Sequence, residues 1–213
     1  MAFIADRDLL ALEPNLFRDV GWLAQTLVSG VGDVVGAALT LGTFDVSFAA
    51  AGVGAGHVAQ VDGVAYEVIA RTATTVVELS RLRGSTSDAA IPPTPTTGKP
   101  VVVTTFMPQI VQAHGQILRM LGIDSEAGTG QASEANIMNP GALARAEGLL
   151  TLFAVASAAA ALGPAYAAIA QRASFFRREF EKERQRAAAI LDVDGDGAPD
   201  ATRRLNVVLL TRN

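Results

Sequence analysis

The stretch "HVAQVDGVAYEVIAR", residues 57–71, decides the fold of the first half of the chain. Apolar and polar residues alternate on both sides of the dipeptide Asp62-Gly63. This dipeptide suits a two-residue hairpin turn, because the central residues of such a turn need positive φ angles. The stretch therefore predicts two antiparallel β-strands joined by a tight turn.

Further strand-like segments flank this hairpin on both sides. "VVGAALTL" and "FDVSFAA" precede it, and "TVVELSRL" and "PVVVTTF" follow it. Short strands separated by glycine-rich turns predict a small β barrel or sandwich over residues 21–106. The loop over residues 84–100 contains three closely spaced prolines, Pro92, Pro93 and Pro95, and is longer than a compact domain needs, which is typical of a functional or mobile loop.

The rest of the chain has a helical pattern. Residues 1–20 predict an N-terminal arm or short helix, which "EP" at residues 13–14 interrupts. Residues 107–190 predict a helical domain, with helices starting near Pro108 and covering about 142–162 and 165–190. Residues 191–213 contain an acidic turn and an apolar tail. The expected fold class is α+β: a helical body of about four helices, an inserted small barrel or sandwich, and an extended C-terminal tail.

Composition excludes several classes of function. The net charge of −4 argues against a protein that coats nucleic acid through a large basic surface. The absence of cysteine excludes disulfides, thiolate metal sites and cysteine nucleophiles. The two histidines, His57 and His114, fall in a β turn and a distant helix, and no set of paired acids, bases or nucleophiles is discernible. We therefore expect no enzymatic activity.

Two features bear on where the protein resides. Charged residues at positions 6–8 stand where a signal peptide needs its apolar stretch, so we expect a chain that is made inside the cell and is not processed. Residues 149–170 are uncharged for long enough to resemble a membrane span. Gly163 and Pro164 divide that stretch, so two packed alanine-rich helices are the preferred interpretation. A membrane-associated protein is the other interpretation.

An acidic stretch, "LDVDGDGAPDATRR" at residues 191–204, has the spacing of a calcium loop. Numbered from its first aspartate, it places oxygen ligands at positions 1, 3, 5 and 9, and Gly197 at position 6. These ligands are Asp192, Asp194, Asp196 and Asp200. Position 12, which should supply a bidentate carboxylate, is Arg203. Two interpretations stay open: a weak calcium site, or a turn that the aspartates shape through their side-chain oxygens.

The charged run "RREFEKERQR", residues 177–186, alternates in sign with helical spacing. Pairs such as Arg177 with Glu181 and Glu183 with Arg186 stabilise a solvated helix. The alternative is a contact with another subunit or with nucleic acid. The C-terminal segment "ATRRLNVVLLTRN" has β-branched apolar residues between arginines, and an extended strand with free edges is a template for pairing with another chain.

Taken together, these segments resemble the head-to-tail connector adaptors of tailed bacteriophages and gene transfer agents. The resemblance lies in an alanine-rich helical hairpin with "RAEGLL", the charged helix "FFRREFEKERQRAA", the turn "LDVDGDGAPDATRRLN" and the short apolar tail. The opening "DRDLLALEPNLF" and the segment "YEVIA" look like variants of that group that carry a small barrel.

The resemblance implies a structural virion protein at the head–tail junction. Such adaptors form a homo-oligomeric ring, usually a dodecamer, between the portal protein and the next neck or tail protein, and DNA passes through the channel without sequence readout. The implied portal-binding residues are Arg203, Arg204, Leu205, Val207, Val208 and Leu210. The residues implied at subunit boundaries or near the DNA channel are Arg177, Arg178, Lys182 and Arg186.

Other functions remain open. The β segment departs from the minimal all-helical adaptor, so a stopper or decorating neck protein is one alternative. A calcium-dependent binding module that uses "DVDGDGAPD" is another. We expect no cofactor other than a weakly bound calcium ion, and no membrane partner.

Overall fold

The computed structural model describes residues 2–123, 132–161 and 167–205. Backbone contacts divide the chain into two compact units, and the fold class is α+β. A barrel unit runs from Ala5 to Met107. A helical unit combines the residues before Ala5 with the chain from Pro108 onward. The chain therefore crosses between the units twice, after Ile4 and after Met107.

Six antiparallel strands form the barrel unit. They are β1 (Gln25–Val35), β2 (Ala38–Phe44), β3 (Val58–Val61), β4 (Val64–Ala73), β5 (Val76–Ser80) and β6 (Thr96–Thr105). Their order is β1-β2-β5-β4-β3-β6, and pairing of β6 with β1 closes the barrel. The sequence predicted either a barrel or a sandwich, and the structure shows a closed barrel.

Turn chemistry explains two of the strand connections. Asp62 and Gly63 have φ angles of 51° and 78°, so the predicted hairpin between β3 and β4 is confirmed. "VVGAALTL" contains a second turn, with φ of 58° at Gly36, and is not a single strand. "FDVSFAA" is wrong as a strand, because β2 ends at Phe44 and the chain then turns so that Phe48 is buried in the core.

The barrel interior is filled by alternate, mostly branched apolar side chains from the six strands and the β2–β3 connection. Strands β1 and β2 approach each other especially closely at Gly30. A Cβ atom at this position would overlap the carbonyl oxygen of Thr43, so β1 requires glycine there. The core residues are Val28, Val34, Leu39, Leu41, Phe48, Val53, Ala59, Val61, Val68, Val77, Leu79, Val101 and Val103.

Two short helices belong to the barrel unit. They are α1 (Asp6–Leu12) and α2 (Leu16–Asp19), and the chain between them contains Pro14. Leu9, Leu10 and Phe17 are buried, and the ring of Phe17 meets that of Phe106 edge to face. Residues 5–20 therefore form an integral part of this unit.

Among the described residues, the helical unit contains three α-helices. They are α3 (Met107–Met120), which begins at the unit boundary, α4 (Gly141–Ala160) and α5 (Ala167–Arg186). Pro108 lies in the first turn of α3, and Gly122 follows its end with φ of 64°, as expected for a helix stop. Helices α4 and α5 pack against each other.

The end of the helical domain differs from the prediction. Helix α5 stops at Arg186, and residues expected to continue it form strand β7 (Ala188–Leu191). Strand β8 (Ala201–Arg204) pairs with β7 in an antiparallel hairpin, with Leu191 opposite Ala201. The start of the expected extended tail is therefore paired within its own chain. The β-branched and aliphatic residues near position 190 explain the change, because they suit a half-buried strand.

Helix α4 meets the length and composition criteria of a membrane span. The mean hydropathy of its 18-residue apolar window is 1.4, and 61% of this window is buried inside the protein. This is weak evidence, because the core helix of a soluble protein passes the same test. The side chain of Glu147, within this helix, is fully buried, which is a costly residue type for a lipid-facing position.

Candidate functional site

The acidic stretch forms the turn of the β7–β8 hairpin. Asp192 accepts hydrogen bonds from the backbone N–H groups of Gly195 at 2.7 Å and Gly197 at 2.9 Å. Asp200 accepts from Val193 at 2.6 Å and from Asp194 at 3.2 Å. Both glycines have positive φ angles, 80° and 86°. The interpretation as a turn shaped by aspartate side chains is confirmed.

Three of the four predicted calcium ligands come together. One carboxylate oxygen each from Asp192, Asp194 and Asp200 lies within 4.8 Å of the others. Asp196 instead accepts a hydrogen bond from the N–H of Ala198 at 2.7 Å. Carboxylate oxygens suit Ca²⁺, but three clustered aspartates without a carboxylate at position 12 supply fewer oxygens than the ion takes, so the arrangement fits a weak site. Calcium binding stays a prediction.

Position 12 of the calcium numbering has a different role in the structure. The Arg203 Nη1 atom donates to the carbonyl oxygens of Leu121 at 3.0 Å and Gly122 at 2.8 Å. These carbonyls end α3, where a cation is favourable because of the helix dipole. Arg203 therefore holds the hairpin to the end of α3 rather than facing the acidic cluster.

The predicted portal-binding residues fall into three groups. Arg203 is engaged at the end of α3, and Leu205 is 3% exposed. Arg204 is exposed on β8. Val207, Val208 and Leu210 lie outside the described residues. A partner that approaches the described part of this segment therefore meets Arg204, whereas Leu205 belongs to the core.

The four basic residues predicted on α5 are all exposed, but they do not share one face. Arg178, Lys182 and Arg186 are spaced four residues apart, and Phe175 precedes Arg178 by three, so these four side chains form one stripe. We call this the α5 stripe. Arg177 lies about 140° around the helix from Lys182, at 3.6 residues per turn. The sequence had grouped Arg177 with the other three.

Ion pairs on α5 leave an excess of positive charge. Glu179 pairs with Lys182 at 2.7 Å, Glu181 with Arg184 at 3.6 Å, and Glu183 with Arg145 of α4 at 3.5 Å. Because Lys182 and Arg178 lie beside it, the pKa of Glu179 is lowered, with the hydrogen bond from Lys182 as the main cause. Arg177 and Arg186 have no ion-pair partner within the described part of the chain.

Sequence reasoning missed a buried polar cluster in the helical unit. His114 on α3 and Glu147 on α4 form a hydrogen bond of 3.0 Å between Nδ1 and Oε2. The backbone N–H of Phe3 donates to both Glu147 carboxylate oxygens, at 3.1 and 3.3 Å. The His114 Nε2 atom lies 3.3 Å from a carboxylate oxygen of Glu134. Burial raises the pKa of Glu147, and the contacts with His114 and Phe3 oppose it.

A second buried acid lies in the barrel unit. Glu67 on β4 is fully buried and binds two guanidinium groups, Arg83 Nε at 2.6 Å and Arg7 Nε at 2.7 Å. Burial is the largest influence and raises the pKa of Glu67, but the arginine contacts together outweigh it and lower the pKa. Arg83 also donates to the carbonyl oxygens of Thr86 and Asp88, so it holds the long loop before β6.

The carboxylates of both buried clusters, Glu67 and Glu147, have partners within their own unit. In the barrel unit, a cleft of about 350 Å³ lies beside Arg7 and Arg83, but both guanidinium groups are engaged by Glu67 and by backbone carbonyls. In the helical unit, His114 is turned toward Glu147 and the ring of Phe3, whose centroid is 4.6 Å away. His57, by contrast, contacts the backbone of Gly54 in the barrel unit. The arrangement of these groups fits structural roles.

Comparison of the chain with family models, curated proteins and solved structures finds no match. The likeness to connector adaptors therefore rests on the sequence segments alone.

Proposed function

We propose that this chain is a structural virion protein, a head-to-tail connector that joins a portal to the neck or tail through a ring of identical copies. The observation that carries the proposal is the arrangement of the helical unit. The alanine-rich helix α4, the charged helix α5 and the acidic hairpin follow one another within a single compact unit, ahead of the apolar tail. This is the order of segments on which the resemblance rests.

The distribution of contacts supports an assembly role. The buried carboxylates of Glu67 and Glu147 contact basic side chains within their own units, whereas α5 and the acidic turn leave charged groups exposed. Weak contacts at such surfaces gain strength when they repeat around a closed ring, because each subunit then binds through several sites at once. On this proposal the chain performs no chemistry, and DNA passes without sequence readout.

The tail-docking part of the proposal is tested by truncation. Deletion should begin after Leu205, because removal of Arg203 and Leu205 would also remove the contact with α3 and a core side chain. A chain ending at Leu205 is expected to stay folded, by circular dichroism, and to lose co-purification with the portal protein. A truncated chain that still co-assembles with the portal would contradict tail docking.

A calcium-dependent binding module is the second candidate. The observation in its favour is the grouping of Asp192, Asp194 and Asp200. This function requires calcium to change the stability of the protein, since an ion that binds only the folded state stabilises it by mass action. A stopper or decorating neck protein would occupy the same place in the virion but bind a different partner. Antibody labelling of assembled particles, compared with particles made without the portal protein, would separate these roles.

A further inference from the structure

We propose that the α5 stripe is a subunit contact whose occupant is the acidic turn of a second copy of this chain. This inference rests on the proposed ring and names the two surfaces that would meet in it. The stripe consists of Phe175, Arg178, Lys182 and Arg186. The acidic turn consists of residues 192–200.

Charge complementarity is the first argument. The acidic turn contains Asp192, Asp194, Asp196 and Asp200 and no basic residue. Within the described residues, none of these carboxylates has a basic side chain as its partner. On α5, Glu179 is the acidic residue that pairs with the stripe, through Lys182 and Arg178, so the stripe keeps an excess of positive charge. A positively charged surface and a negatively charged surface on the same chain fit a head-to-tail contact between copies, in which two different surfaces meet.

The apolar residues in both surfaces are the second argument. Phe175 is 47% exposed at the start of the stripe, with the Arg178 guanidinium 5.7 Å from its ring centroid. Val193 is 36% exposed within the acidic turn. Protein interfaces combine aromatic residues and arginine with a polar surround. A phosphate backbone would need the basic residues but would gain nothing from a matching apolar residue.

The length of the stripe is the third argument. The stripe spans about 16 Å along α5, at 1.5 Å per residue, which suits one short turn. Together with the exposed ring of Phe175 beside the basic residues, this length favours a protein occupant over DNA.

Cross-linking of the full-length chain tests the contact directly. The chain contains no cysteine, so single substitutions give unique attachment points. Lys182→Cys on the stripe is mixed with an affinity-tagged chain that has Ala198→Cys in the turn, and a short bis-maleimide is added. Arg177→Cys, which loses the same charge on a different face of α5, is the matched control. The expected yield of mixed dimer is at least about tenfold higher for Lys182→Cys than for the control.

Neutralising the turn provides a second variant that preserves its geometry. Asp194→Asn and Asp196→Asn keep the side-chain oxygens that accept the N–H groups of Asp196 and Ala198. In the tagged chain these changes are expected to reduce the mixed dimer to the control level. Equal yields for both cysteine positions, or no effect of neutralisation, would overturn the proposal. Retardation of duplex DNA by the wild type that Lys182→Glu abolishes would assign the stripe to DNA and would also overturn it.

The outcomes separate this inference from the proposed function. Failure of the cross-link together with antibody label at the head–tail junction rejects the contact and leaves the connector role. A strong cross-link together with particles that lack the protein rejects the connector role and leaves a self-association surface.

Discussion

His114 Nδ1 and Glu147 Oε2 lie 3.0 Å apart in the interior of the helical unit, and the backbone N–H of Phe3 also donates to this carboxylate. The chain thus fastens its first residues to the helical unit before it enters the barrel unit at Ala5. The hydrogen bonds of Glu147 to His114 and Phe3 link the start of the chain, α3 and α4 in one polar cluster. It also gives the helical unit a titratable group whose effect on stability has a defined sign.

The first prediction concerns Glu147. Burial raises its pKa above 4.5 in the folded state, so the folded state binds the proton more tightly than the unfolded state does. Its contribution to the free energy of unfolding is complete below about pH 4.5 and is lost as pH rises through the folded-state pKa. The stability of wild type relative to Glu147→Gln should therefore increase as pH falls from 8 to 4.

Urea unfolding followed by circular dichroism at several pH values measures this difference. Glu181→Gln, which removes an exposed carboxylate on α5, is the control variant. A difference between wild type and Glu147→Gln that is flat, or that grows as pH rises, would contradict the account of the cluster.

The second prediction concerns Glu67, for which the sign is opposite. Its pKa is lowered in the folded state, so its contribution is present above about pH 4.5 and is lost as pH falls through the folded-state pKa. Glu67→Gln leaves the buried Arg83 without its carboxylate partner, whereas the half-buried Arg7 keeps its pair with Asp8. Breaking a buried ion pair by removing one partner costs about 3–5 kcal/mol.

The single tryptophan, Trp22, lies in the barrel unit, so its fluorescence follows the unfolding of that unit. Asp62→Asn is the matched control, because it removes only the exposed pair with Lys99, and asparagine also tolerates the positive φ of the turn. Equal destabilisation by the two changes at pH 7 would show that Glu67 does not hold α1 and the long loop as the hydrogen bonds indicate.

The third prediction concerns Arg203. Arg203→Ala removes two hydrogen bonds to the carbonyls that end α3 and a favourable charge at that helix terminus. The expected loss of stability is about 1–2 kcal/mol. Arg204→Ala, one residue away and exposed, should change stability by no more than about 0.5 kcal/mol. Thermal unfolding of both variants provides the measurement, and an equal effect of the two substitutions would rule out the capping role.

The fourth prediction concerns calcium. The connector role predicts no change in melting temperature between excess chelator and millimolar calcium chloride. The binding-module alternative predicts a rise with calcium that Asp200→Asn abolishes, since Asp200 is one of the three clustered carboxylates. Asp88→Asn, in a loop of the barrel unit, serves as the unrelated acidic control. A large shift for wild type that disappears only with Asp200→Asn would favour the calcium module.

The sequence predicted local structure well where turn chemistry is explicit. Asp62-Gly63 indicated its hairpin because few residues adopt positive φ, and Gly122 indicated the end of α3. Barrel closure could not be predicted in the same way. It depends on pairing between β1 and β6, far apart in sequence, and alternation within a strand does not reveal its partner.

The buried charges were missed because a charged residue is usually taken to be solvated. A signal was present in each case. Glu147 borders the long apolar run of α4, and Glu67 occupies a position of β4 beside the core residue Val68. An isolated charge within an apolar segment indicates a buried partner, but the sequence does not say which one. The partners, His114 and the arginines at positions 7 and 83, come from distant segments.

The measurement that tests the central claim most directly is immunogold electron microscopy of virus-like particles from cells that make this chain, with an antibody against the barrel unit. The account predicts gold at the junction between head and tail, absent when the gene is deleted. Particles that lack the label while the protein is abundant in the same culture would contradict the connector role.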